Sequence, residues 1–83
     1  MFEQIIPMLQ QVAADRTVPR NIRTKVEDSV RVLQDQKADI KVRATTVISE
    51  LDEVSNDPNI PMYTRTQIWN IVTALEAAAQ RGS

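Results

Sequence analysis

Apolar side chains recur along this chain at intervals of three and four residues, in four runs separated by short polar breaks. Phe2, Ile5, Ile6, Leu9, Val12 and Ala13 make the first run, a spacing that lines one face of an α-helix. Pro7 falls in its second turn and predicts an imperfect start. Ile22, Val26, Val30 and Leu33, with Ser29 among them on the same face, predict a second helix from Pro19 to about Gln36. Ile40, Ala44, Val47, Ile48, Leu51 and Val54 predict a third, from about Ile40 to Ser55, with Val42 pointing away from the stripe. Ile68, Ile71, Val72, Leu75 and Ala79 predict a fourth from Pro61 to about Gln80, with Trp69 on its flank and Gly82 closing it. Four such stripes bury one another best as an all-α, antiparallel up-and-down four-helix bundle.

Two of the breaks are nearly the same text. Asp15 to Thr24 and Asp57 to Thr66 both read Asp-x-x-(Val/Ile)-Pro-x-x-x-Arg-Thr, 42 residues apart. Proline is suited to the first position of each following helix, where its missing N–H costs nothing. The match extends outward, pairing Leu9 with Leu51, Val12 with Val54, Val26 with Ile68 and Leu33 with Leu75. This predicts two similar helical hairpins, at about 2–36 and 39–80, in a single domain. A helix, then Asp, then Pro or Val, then Arg inside the next helix resembles the pattern of HEAT repeats, whose period is about 40 to 47 residues. Two units are too few for a solenoid, so the hairpins are expected to close on each other about a pseudo-twofold axis. The middle break, Gln36 to Asp39, offers Asp39 as an N-cap.

Composition removes several kinds of chemistry. The 83 residues contain no cysteine and no histidine, which excludes disulfides, thiol nucleophiles, imidazole bases and most transition-metal sites. Ten basic and eleven acidic residues give a net charge of −1 and no global attraction to nucleic acid or anionic lipid. A single glycine and an aromatic content of 4% argue against a sheet protein. No apolar run nears the roughly 18 residues needed to span a bilayer, and no basic segment precedes the first apolar residues. A cytoplasmic location with no membrane association is expected.

The candidate residues fall into separate groups. Asp15 with Arg23, and Asp57 with Arg65, recur in both halves; each Asp is suited to cap its connector, and each Arg to hold carbonyls or the opposite Asp. Arg16, Arg20, Arg23 and Lys25 form the densest basic cluster, and phosphate contacts are the alternative use for them. The lack of interleaved aromatics for base stacking weighs against that. Glu50, Glu53 and Asp57 share a helical spacing that could present three carboxylates to Mg²⁺ or Ca²⁺, though a solvated acidic face is the ordinary use. Ser29, Ser49 and Ser55 have no histidine to activate them, so no catalytic residues, no cofactor and no small-molecule ligand are expected. Trp69, Val42, Val32, Met62 and Met8 lie off or at the edge of their stripes, and exposed apolar residues of this kind mark interfaces. The expectation is a non-enzymatic module for protein–protein interaction or assembly, with self-association among its uses. A nucleic-acid-associated protein using Arg16 to Lys25 is the alternative.

Val18-Pro-Arg-Asn-Ile-Arg23, Val42-Arg-Ala44, Leu51-Asp-Glu53, Asn56-Asp-Pro-Asn59 and Arg65-Thr-x-Ile-Trp69 together make nearly the whole chain resemble the uncharacterised protein family 0147 of archaea. The resemblance implies a cytoplasmic helical bundle and brings no established activity with it.

Overall fold

A computed structural model describes residues 1–81. Its four helices are α1 (Ile5–Ala13), α2 (Arg20–Gln34), α3 (Ile40–Ser55) and α4 (Met62–Arg81). Each helix packs on its neighbours in sequence, and α1 also packs on α4. The ring is therefore closed, an up-and-down four-helix bundle instead of an open hairpin pair, with overall dimensions of 35 × 19 × 19 Å.

The core is the predicted stripes brought together. Leu9, Val26, Val47, Leu51, Ile68, Ile71 and Leu75 lose all contact with solvent, and each fully buried aliphatic side chain of this size contributes about 1.5–3 kcal/mol. Three details differ from the sequence expectation. Helix α1 begins at Ile5, after Phe2 O has accepted the N–H groups of Ile5 (3.0 Å) and Ile6 (3.0 Å). Pro7 therefore falls in the first turn of α1, where no intrahelical partner for its N–H exists, and it does not disturb the helix. Pro19 and Pro61 stand one residue before α2 and α4. Pro19 has an extended ψ of 146°, and the carbonyls of both prolines take the first helical bonds. Finally Ala78, and not Ala79, is the fully buried residue near the end of α4, because the stripe continues from Ile71 and Leu75 at +4 and +3. Gly82, expected to close α4, lies outside the described residues.

The chain turns through one joint three times. Asp35-x-x-Ala38-Asp39-x-x-x-Arg43 repeats the framework of the outer connectors with Ala for Val or Ile and Asp for Pro. The backbone N–H of Asp15, Asp35 and Asp57 donates to the carbonyl of a valine three residues earlier, at 3.1, 3.2 and 3.0 Å. Each aspartate Oδ1 then accepts the N–H two residues later, from Thr17 (2.9 Å), Lys37 (3.1 Å) and Asn59 (2.8 Å). Such Asx turns reverse the chain without needing glycine. Among the described residues no backbone φ is positive. Asp39 additionally caps α3, accepting the Lys41 N–H at 3.0 Å.

Candidate functional site

Because α1 and α2 meet at the same end of the bundle as α3 and α4, the first and third joints are neighbours. Tyr63, the second residue of α4, crosses between them. Its hydroxyl donates to Asp15 Oδ2 at 2.7 Å and also meets the Thr17 hydroxyl, which itself donates to Asp15 Oδ1 at 2.7 Å. The Thr17 hydroxyl first, then the Tyr63 hydroxyl, the Thr17 N–H and the positive charge of Arg23 hold the Asp15 carboxyl below the usual aspartate range.

The arginines of the joints reach backward along their own connectors. Arg65 Nε donates to Ser55 O (2.8 Å) and its Nη2 to Asp57 O (3.0 Å), so its fork holds the last carbonyl of α3 together with one in the joint that follows. Arg43 Nη1 makes the corresponding bond to Leu33 O at 3.0 Å, also ten residues back, and its guanidinium lies 5.6 Å from the centre of the Phe2 ring. Arg23 keeps a buried Nε without a hydrogen-bond partner. Among the described residues neither Arg23 nor Arg65 forms an ion pair with an aspartate; the bond across the two halves comes from Tyr63.

The other candidate groups are dispersed. Arg16 and Arg20 are exposed, whereas Arg23 and Lys25 are half-buried and two residues apart on α2, hence about 200° apart around it. Among the described residues no acidic group is clustered closely enough to hold a metal; Asp57 has left the helix and its carboxylate is engaged by Asn59. The Ser29 and Ser55 hydroxyls donate to the carbonyls of Lys25 (3.1 Å) and Asp52 (2.8 Å). Val32 and Met8 are partly buried against the core. Val42 is exposed at the start of α3, on a different helix from Trp69 and Met62.

Trp69 and Met62 do share a face. They are seven residues apart on α4, two turns, and are 53% and 68% exposed. Thr66 and Thr73 lie between and beyond them on that face, and their hydroxyls donate back to the carbonyls of Met62 (3.3 Å) and Trp69 (3.1 Å). With the hydroxyls so occupied, the stripe Met62, Thr66, Trp69, Thr73 carries no charge and few unmet polar groups.

The family assignment agrees with this architecture. The model of the uncharacterised protein family UPF0147 matches residues 1–78. The chain belongs to this family. A UPF0147 protein of Thermococcus kodakarensis is 48% identical over 92% of this chain and 93% of its own length. One from Methanothermobacter thermautotrophicus is 47% identical over 92% of this chain and 74% of its own length. The crystal structure of a UPF0147 protein from Thermoplasma acidophilum superposes with a TM-score of 0.89 at 38% identity, covering 93% of this chain and 91% of that one. A second crystal structure, of a protein of unknown function, gives 0.86 at 44% identity over 90% and 85% of the two chains. The UPF0147 description carries no activity. Among the described residues no helix is long and apolar enough to cross a membrane.

Proposed function

We propose that this UPF0147 chain is a non-enzymatic cytoplasmic module for protein–protein interaction or assembly, and that the outer face of α4 is the surface it presents. The observation that carries this reading is the charge-free stripe of Met62, Thr66, Trp69 and Thr73, whose two large apolar side chains stand mostly in solvent. Half-exposed tryptophan is costly to leave in water and is enriched at the centres of interfaces. The threonine hydroxyls are already bonded to their own helix, so covering the face strands few polar groups.

Oxidative footprinting tests it. Trp69 and Met62 are expected to be protected when the native protein is labelled in a concentrated extract of its source cells, relative to the purified dilute chain. Val42, exposed on α3, is expected to be labelled equally in both. Equal labelling of Trp69 and Met62 in the two samples would overturn the proposal.

One observation supports the nucleic-acid alternative. Tyr63 is 51% exposed and is tied to the connector that carries Arg16, so an aromatic ring does stand beside that part of the basic stretch. Asp15 and Asp57 lie in the adjoining joints and offset that charge. Fluorescence anisotropy with a labelled single-stranded oligonucleotide decides it: binding that weakens with salt supports this reading, and no binding at low salt removes it.

A further inference from the structure

We propose that the occupant of the α4 face is a second copy of this chain, packed antiparallel across a twofold axis near residues 70 and 71. The proposal rests on the interaction reading above and adds the identity of the partner. Its argument is the placement of charge along α4. Between Met62 and Gln80 the only charged residues are Arg65 and Glu76. They are eleven residues apart, three helical turns, so both lie on one edge of the stripe, the edge toward α3 to which Arg65 is bonded.

A twofold contact brings residue i of one copy to residue j of the other and j to i. With the helices antiparallel, the α3-side edges of the two copies lie together. An axis midway between Arg65 and Glu76 then sets each Arg65 beside the partner's Glu76, making two equivalent ion pairs. Arg65 uses Nε and Nη2 for its own carbonyls, and Nη1 is engaged by neither. The same axis lays each Trp69 against the other copy's Thr73, at the centre of the contact, and each Met62 near the far end of the opposing helix. A parallel twofold pair would instead put the two α3-side edges on opposite sides of the contact and leave Arg65 and Glu76 without partners, so charge favours the antiparallel one.

The area is modest. A stable contact buries about 800 Å² on each partner, and Trp69 at 53% exposure offers on the order of 100 Å² of it. Helix α4, at 20 residues, is about 30 Å long, so a contact made through this one helix falls at the small end of the range.

The purified chain is suited to a direct test. It has one tryptophan and no cysteine, so Trp69 fluorescence reports this face alone and introduced thiols are unambiguous. Sedimentation is expected to show a dimer forming with concentration, with a parallel blue shift of Trp69 emission. Trp69→Glu is expected to weaken the dimer about a hundredfold, as for a central interface tryptophan. Glu76→Arg should weaken it about tenfold by opposing two Arg65 side chains, and Val42→Asp should leave it unchanged. A short bismaleimide should join Asn70→Cys chains to each other but not Arg81→Cys chains, whose sites are about 30 Å apart in the antiparallel pair. A chain that stays monomeric to millimolar concentration overturns the dimer, as does a dimer insensitive to Trp69→Glu or cross-linked equally at both sites. If Trp69 were still protected in extract while the purified chain stayed monomeric, the interaction reading would stand and the second copy would be excluded.

Discussion

The two ends of the bundle use the same joint and finish it differently. At one end the first and third joints stand side by side, and Tyr63 of one bonds Asp15 and Thr17 of the other. At the opposite end the middle joint has no second joint beside it; it meets the N-terminal segment, where the Arg43 guanidinium covers the Phe2 ring. The residue seven places after each joint aspartate records the difference. Ile22 and Thr64 are 2% and 0% exposed, whereas Val42 is 57% exposed. Travelling round an up-and-down bundle, successive hairpins turn opposite faces to the centre, because the chain makes each turn from the other end. One joint of fixed local geometry therefore buries its seventh position in the first and third hairpins and turns it outward in the second. The exposure of Val42 is a consequence of reusing a joint, which separates it from the α4 face.

The sharpest way to break this comparison is to truncate the equivalent positions. Ile22→Ala is expected to cost about 2–5 kcal/mol, the range for a buried aliphatic side chain with its cavity, and Val42→Ala less than about 0.5 kcal/mol. Thr64 supplies the third arm: its Oγ1 is buried with no hydrogen-bond partner, so Thr64→Val should stabilise the fold by about 1 kcal/mol by removing an unmet polar group. Chemical denaturation of the three variants measures all of this. Similar losses for Ile22→Ala and Val42→Ala would mean the second hairpin does not turn its seventh position outward.

Smaller effects separate the arginines. Arg65→Ala gives up its bonds to Ser55 O at the end of α3 and to Asp57 O in the joint beyond it and should cost about 2 kcal/mol, allowing for its partial exposure. Arg43→Ala gives up one carbonyl bond and the contact with Phe2, about 1–2 kcal/mol. The two should add, since the sites occupy opposite ends of the molecule. Arg65→Lys should recover little, because a single ammonium cannot reproduce the fork. A loss below about 1 kcal/mol for Arg65→Ala in urea titrations would show that one of its two carbonyl bonds contributes nothing.

Much of this fold was legible as spacing. The four apolar stripes specify four helices, and short polar breaks specify antiparallel neighbours, so the bundle follows from periodicity alone. The middle joint is hard to read from sequence because its two most recognisable positions differ: Ala38 replaces a branched residue and Asp39 replaces proline. What the three joints keep is less conspicuous, a valine three residues before the aspartate and an arginine eight after it. The bond from Tyr63 to Asp15 joins residues 48 apart and exists only because the hairpins close, so no local pattern announces it. The five proposed interface residues share one sequence feature, a place off or at the edge of a stripe. Only packing distinguishes Trp69 and Met62, left in solvent on one helix face, from Val32 and Met8, drawn against the core.

The least forceful of the contrasts is also the most specific, because it depends on pH. Hydrogen bonds from Thr17 and Tyr63 hold the folded-state pKa of Asp15 below its unfolded value, which is about 3.9 for a free aspartate. The stability this contributes is fully present above the unfolded value and disappears as the pH falls through the folded one. Asn at position 15 can still accept the Thr17 N–H but cannot carry the charge. Asp15→Asn should therefore be less stable than the parent near pH 6, with the gap narrowing below about pH 4. Tyr63→Phe should show a smaller gap that narrows in the same window, since its hydroxyl is only the second of the groups acting on Asp15. Glu3, whose pKa is lowered first by its hydrogen bond from the N-terminal amine and then by its own backbone N–H, titrates alike in all three proteins and cancels in the differences. Urea denaturation from pH 6 to pH 2 measures them. A Tyr63→Phe gap that stays constant across that range would mean Tyr63 joins the two halves through Thr17 alone, and the charge of Asp15 would drop out of the description of that end of the bundle.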